Sequence, residues 1–346
     1  MRRGSCTDEC VTRLGRLALV FSALMAAACG REAGPRPEGP LPRPLAVVEA
    51  VPLEGLARET LTLPNLEHSV KFAVIGDSGR GNQAQQRVAD QMVRYHTRFT
   101  FPFTLMVGDN IYEGPAGRED YRLKFEEPYR VLLDEGVKFF AALGNHDDPR
   151  EIHYEHFNMR GRRYYRFAPP GNLLARITTP VAFFALDSTY LDREQLAWLD
   201  QELAASGADW KIVFLHHPIY TSGRYRASAF VTRSALESIL VRHRVNVVFS
   251  GHEHIYQRST LQNGIQYFVS GGAGSLRQGD GRPAPYIART YSANYHFMLV
   301  EIEGEVLHFQ AISDSGDTID AGRVRRTDVA PAPPRTLTQA DTEARR

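Results

Sequence analysis

Cysteine is nearly absent from this 346-residue sequence: only Cys6, Cys10 and Cys29 occur, all within the first 29 positions. A disulfide-stapled scaffold and a thiolate-built zinc site are thereby excluded for everything downstream. Excess charge of one sign is missing as well. The 41 Lys and Arg stand against 40 Asp and Glu, a net +1, so nothing argues for an electrostatic nucleic-acid partner. No apolar run is long enough for a permanent transmembrane helix, since the stretch 17–28 falls short of the roughly 20 residues a bilayer requires. Internal repeats are also lacking, which excludes solenoid and propeller architectures.

What is present at the N-terminus reads as a targeting segment. Arg2, Arg3, Arg13 and Arg16 lead into the apolar stretch 17–28, which ends in small residues before Cys29. Met25-Ala26-Ala27-Ala28-Cys29 resembles the lipobox of bacterial lipoproteins. The expectation is a signal peptide over 1–28 and a lipidated Cys29 anchoring an exported protein to a membrane, facing periplasm or cell surface. A conventional secretory signal, giving a secreted protein, is the alternative. Residues 29–44 are rich in Pro and Gly and read as a tether, and 329–346 as a disordered tail. One folded domain is expected over 45–328.

Within that domain apolar runs at 70–76, 103–108, 139–144, 212–215 and 245–250 read as strands buried on both faces. Each is followed by a polar cluster: Asp77-Ser78-Gly79, Gly108-Asp109-Asn110-Ile111-Tyr112, Gly144-Asn145-His146-Asp147, His216, and Gly251-His252-Glu253-His254. Loops beyond the carboxyl ends of such strands gather at one crevice. Further strands are expected at 181–186, 265–270, 296–303 and 305–313, the last two a hairpin about Gly304, and helices at 83–98, 193–205 and 232–243. The fold class is therefore α/β, with two packed mixed β-sheets flanked by helices.

The residue types suit a two-metal site. Asp77 and Asp109 offer carboxylate oxygens, Tyr112 a phenolate, Asn145 an amide oxygen, and His216, His252 and His254 imidazole nitrogens. That set fits first-row metals such as iron, zinc or manganese rather than calcium. A phenolate favours a strongly Lewis-acidic trivalent ion, iron(III) first among them.

The order D-x-G, G-D-x-x-Y, G-N-H-D, V-x-x-H, G-H-x-H resembles the purple acid phosphatases within the calcineurin-like metallophosphoesterase superfamily, in their small, single-domain form. The resemblance spans about residues 70 to 312 and implies a four-layer sandwich. It implies Fe(III) held by Asp77, Tyr112, His254 and a bridging Asp109, and a divalent iron, zinc or manganese held by Asp109, Asn145, His216 and His252. It also implies hydrolysis of phosphomonoesters by attack of a metal-bound hydroxide, active at acidic pH, with His146 near the leaving group or phosphate as acid or hydrogen-bond donor. The alternative for His146 is a histidine held by Asp147 that orients ligands. Alternatives for the whole are a phosphodiesterase acting on nucleotides or phospholipid headgroups, and a non-catalytic surface binding protein on the same fold.

One departure stands out. Relatives carry a further histidine nine or ten positions after the ligand at the His216 place, where this chain has Tyr225 and Arg226. Arg224 and Arg226 are candidate phosphate-binding residues in that loop. His217 is expected to point away from the metals, Arg258 is a candidate for shaping the site from behind, and the run 271–274 either lines the crevice or forms only a tight turn. His153 and His156 are expected to be polar positions of a short helix with no part in the site.

Overall fold

A computed structural model describes residues 46–114, 116–170 and 179–326. The expected signal peptide, lipidated Cys29, tether and tail lie outside the described residues.

The strands are β1 (Ala46–Ala50), β2 (Val70–Ile75), β3 (Phe103–Val107), β4 (Lys138–Ala142), β5 (Tyr165–Phe167), β6 (Val181–Ala185) and β7 (Trp210–Phe214). The rest are β8 (Val247–Ser250), β9 (Tyr256–Ser259), β10 (Gln266–Ser270), β11 (Ile287–Tyr291), β12 (His296–Glu303), β13 (Val306–Ser313) and β14 (Thr318–Arg326). Among the described residues they form two seven-stranded sheets, ordered β1-β14-β13-β12-β2-β3-β4 and β11-β9-β10-β8-β7-β6-β5. Each is mixed: β2, β3 and β4 run parallel, as do β6, β7, β8 and β10, while the remaining pairings are antiparallel.

The sheets face each other through phenylalanines. Phe72 of β2 meets Phe183 of β6 edge-on at 5.3 Å and Phe249 of β8 at 6.0 Å, and Phe268 meets Phe309 at 4.9 Å. Strands β3 and β6 are buried throughout because their other faces are covered too. Helix α1 (Gln83–His96) buries Val88, Ala89, Met92 and Tyr95 against the first sheet. Two short turns, α2 (Arg118–Tyr121) and α3 (Arg130–Asp134), follow it in the chain. Helices α4 (Arg193–Ala205) and α5 (Arg226–Arg242) set Leu199, Leu203, Leu236 and Leu240 against Phe184, Val213 and Val248 of the second. Helix, sheet, sheet and helix make the four layers. Asn82 and Asp192 cap α1 and α4, their Oδ1 atoms accepting from Gln85 N (2.9 Å) and Gln195 N (2.8 Å).

Helix α5 corrects the sequence reading, which starts it at Thr232 instead of Arg226. Its first turns leave Phe230 and Val231 in solvent and so lack the apolar period that marks the later ones. Strands β1, β5, β9, β11 and β14 also go beyond the sequence reading, being short, polar or at sheet edges.

Candidate metal centre

Asp77 follows β2 with φ at 55°, and Asp109 beyond β3 and His252 beyond β8 have φ at 52° and 67°. Non-glycine residues enter this left-handed region at a cost, so the surroundings hold three prospective donors in place. Those surroundings are the other loops. Asp77 N donates to Gly108 O (3.0 Å), Asp77 Oδ2 accepts from His252 N (2.9 Å), and Asp109 Oδ1 accepts from His146 N (3.0 Å). The approach is close enough to require glycine before four of the donors, Asp77, Asp109, Asn145 and His252. A Cβ at Gly144 would lie 2.2 Å from Asp109 Oδ1, and one at Gly108 would lie 2.5 Å from His216 Nδ1.

All seven side chains singled out as donors are brought together. Tyr112 Oη lies 3.2 Å from Asp77 Oδ1 and 3.1 Å from His254 Nε2, which is 3.2 Å from Asp77 Oδ1. His216 Nε2 lies 3.0 Å from Asn145 Oδ1, 3.3 Å from Asp109 Oδ1 and 3.2 Å from His252 Nδ1. Asp109 also clusters with Asp77 and His254 and so reaches both groups. Asp77, Asp109, Tyr112, His216 and His254 are buried, whereas Asn145 and His146 are exposed and mark the open side.

Charge and protonation fit a cation. His216 Nδ1 faces the Val107 carbonyl at 3.0 Å and donates to it. In the neutral ring Nε2 therefore presents a lone pair toward two acceptor oxygens and another imidazole, a convergence that a positive ion relieves. Burial, reinforced by His216, pushes His252 down to about 2. Burial and the Arg277 guanidinium push His254 down to about 4. Both rings are neutral, the form that ligates. Burial chiefly raises the Asp77 carboxyl, with Asp109 adding to the rise, and raises the Tyr112 phenol, with Asp77 and Asp109 adding. Ionising these groups thus calls for a cation between them.

Other expectations are redrawn. His217 turns toward the centre rather than away, its ring 4.4 Å from that of His252, because Ser188 Oγ accepts its backbone N–H (2.8 Å) and meets Nδ1 (3.0 Å). Asp147 does not hold the His146 ring. Its carboxylate accepts from the backbone N–H of Asn110, Ile111 and Gly144 and from Asn110 Nδ2. The His146 ring instead lies 4.7 Å from that of Tyr112. Arg258 forms a buried ion pair with Asp320 (2.7 Å), tying β9 to β14 across the two sheets. Arg224 and Arg226 are exposed, Arg224 Nε standing 4.0 Å from Asp280. Tyr225 between them does reach the centre, its ring 4.3 Å from that of His252. The loop after β10 lines the crevice, with Ala273 N donating to Gly76 O (3.1 Å). His153 and His156 sit in two short 3-10 turns.

Sequence reasoning missed Glu253, Arg80 and Arg277. Glu253 is fully buried and accepts from Arg224 N (3.0 Å), Tyr225 N (2.7 Å) and Thr221 Oγ1 (3.3 Å), which holds the 221–225 loop over His252. The two arginines border the centre. Only the position of Glu253 between two histidines marked it in the sequence.

Two packed sheets whose strand-end loops pool carboxylates, a phenol and imidazoles define a metallophosphoesterase fold with a candidate metal site. Residues 70–256 match the model of the Calcineurin-like phosphoesterase family, and the chain belongs to that family. It is similar to purple acid phosphatase 4 of Arabidopsis thaliana, 28% identical over 244 residues, covering 62% of this chain and 71% of the relative. It is also similar to tartrate-resistant acid phosphatase type 5 of Rattus norvegicus, 25% identical over 315 residues, 76% of this chain and 94% of the relative. The solved structure of a purple acid phosphatase from yellow lupin (Lupinus luteus) seeds shares the fold, with a TM-score of 0.64 at 16% identity over 80% of this chain and 58% of that one.

Proposed function

We propose that the chain is an exported, binuclear metal-dependent hydrolase that cleaves phosphomonoesters. The observation that carries the reading is the meeting of two donor groups at one carboxylate. Asp77, Asp109 and His254 form one group with Tyr112 beside it, and His216, His217 and His252 form the other, with Asn145 and Asp109 against His216. Asp77, Tyr112, His254 and Asp109 would hold a trivalent iron, the anionic donors meeting the higher charge. Asp109, Asn145, His216 and His252 would hold a divalent iron, zinc or manganese. When bound, such ions supply Lewis acidity that activates water and offsets the charge of a phosphate ester.

The chain's own groups do the rest. His146, exposed on the open side, donates a proton to the departing alkoxide oxygen. Tyr225, its ring 4.3 Å from that of His252 and its backbone N–H held by Glu253, takes the place where relatives carry a second histidine. Similarity to two acid phosphatases supports the monoester assignment.

The test is an assay of metal-reconstituted protein against a panel of phosphomonoesters and diesters. Turnover of monoesters above diesters is expected. Faster diester cleavage would overturn the substrate assignment, and no turnover with both ions bound would favour a binding protein.

A further inference from the structure

We propose that His217 is a third imidazole donor to the second ion of the centre, beside His216 and His252, and that this half of the centre therefore selects zinc over manganese. The inference rests on the binuclear reading above and deepens it by adding a ligand and choosing a metal.

Spacing along the chain argues against the role. His217 directly follows His216, and successive side chains of an extended segment face opposite ways. The chain does not stay extended past β7, however, but bends at His216 and His217. Both rings consequently turn to one side, 5.0 Å apart, and the His217 ring comes to 4.4 Å from that of His252. The donor atoms of His216, His217 and His252 all lie within 4.8 Å of one another. Donors that share one zinc ion at about 2.1 Å stand at most about 4.2 Å apart, so a small approach of the rings closes the set.

The two consecutive histidines are also held alike. A metal-bound imidazole gives its other ring N–H to an oxygen, which fixes both the tautomer and the ring. His216 Nδ1 has the Val107 carbonyl at 3.0 Å, and His217 Nδ1 has Ser188 Oγ at 3.0 Å. Ser188 Oγ accepts the backbone N–H of His217 as well (2.8 Å), so main chain and ring are tied to one atom. With Nδ1 donating there, Nε2 carries the lone pair, and it has no hydrogen-bond partner among the described residues. His217 is half-buried, whereas Asn145, the amide donor to the same half, is exposed. A third imidazole changes what the site prefers. Amide and carboxylate oxygens suit manganese, imidazole suits zinc, and three histidines with an open position are a recurrent zinc set.

The experiment uses the full iron-loaded chain with the second ion varied. Zinc and manganese are offered together in equilibrium dialysis and counted by elemental analysis. Cobalt(II), a paramagnetic stand-in for zinc, is read by proton NMR, where the ring N–H of an imidazole bound to cobalt gives a strongly shifted, water-exchangeable resonance. Wild type is expected to retain zinc over manganese. In His217→Phe, zinc binding is expected to weaken about a hundredfold or more, past the range of a group that only supports a ligand, and manganese binding by less than about tenfold. One shifted resonance is expected to vanish while that of His216 stays. Ser188→Ala keeps the ring but opens its N–H to water, so the same resonance is expected to broaden away with both ions bound. This variant carries the test if His217→Phe fails to fold or loses iron as well. An unchanged set of shifted resonances, or parallel weakening of zinc and manganese, overturns the proposal. A wild-type chain that binds one ion in total, with the His217 resonance present, would refute the binuclear reading and leave the ligand assignment standing. Two bound ions with no resonance from His217 would refute the assignment alone.

Discussion

Asp109 belongs to one donor group with Asp77 and His254 and also lies 3.3 Å from His216 Nε2 in the other, so one carboxylate serves both halves of the centre. Asp109→Ala is therefore expected to lose both ions together, whereas a change at Asn145 loses only one. Tyr112→Phe is expected to abolish visible absorption of the oxidised, iron-loaded protein and to leave some hydrolysis, because three ligands to that ion remain. An unchanged spectrum would show that Tyr112 is not a ligand. His146→Ala is expected to slow substrates with poor leaving groups far more than those with good ones, because only the former need a proton on the departing oxygen. Equal losses across a leaving-group series would assign His146 to orientation. The seven candidate donors were legible in the sequence because each sits just past an apolar strand, where folding leaves few places for it to go. Arg277, Glu253 and His217 were not, because their placement depends on how one loop packs on another, and spacing along the chain is silent on that.

At the scale of elements, the short turn Pro149–His153 carries a buried acid close to the centre. Asp148 and Glu151 cap it reciprocally, Asp148 N donating to Glu151 Oε1 at 3.0 Å. Burial first, and the charge of Asp147 second, push Glu151 up to about 10, and its Oε2 has no hydrogen-bond partner among the described residues. A carboxyl raised in the folded state contributes stability that is full below its unfolded value and is lost as pH rises toward the folded one. Glu151→Gln keeps the cap and removes the titration. Relative to wild type it is expected to gain stability from pH 5 to 9, by up to about 1.4 kcal/mol per pH unit, read from urea unfolding. A constant difference would show that Glu151 is ionised in the fold. The interior strands and helices α1 and α4 could be read from apolar period and caps. Edge strand β11, half-exposed and polar, and the solvent-facing start of α5 lack that pattern, so their existence rests on contacts made only in the folded chain.

For the whole molecule, no helix among the described residues is long and apolar enough to cross a membrane. The proposed attachment is a lipid on Cys29, outside those residues. Cys29→Ser is expected to move the protein from the membrane to the soluble fraction, and wild-type protein found soluble with an N-terminus beyond Cys29 would make it a secreted enzyme. The central claim, two ions sharing Asp109 between two sheets, is tested most directly by elemental analysis of purified, reconstituted protein. Two ions per chain are predicted, at least one of them iron, and a single equivalent or none would contradict the account.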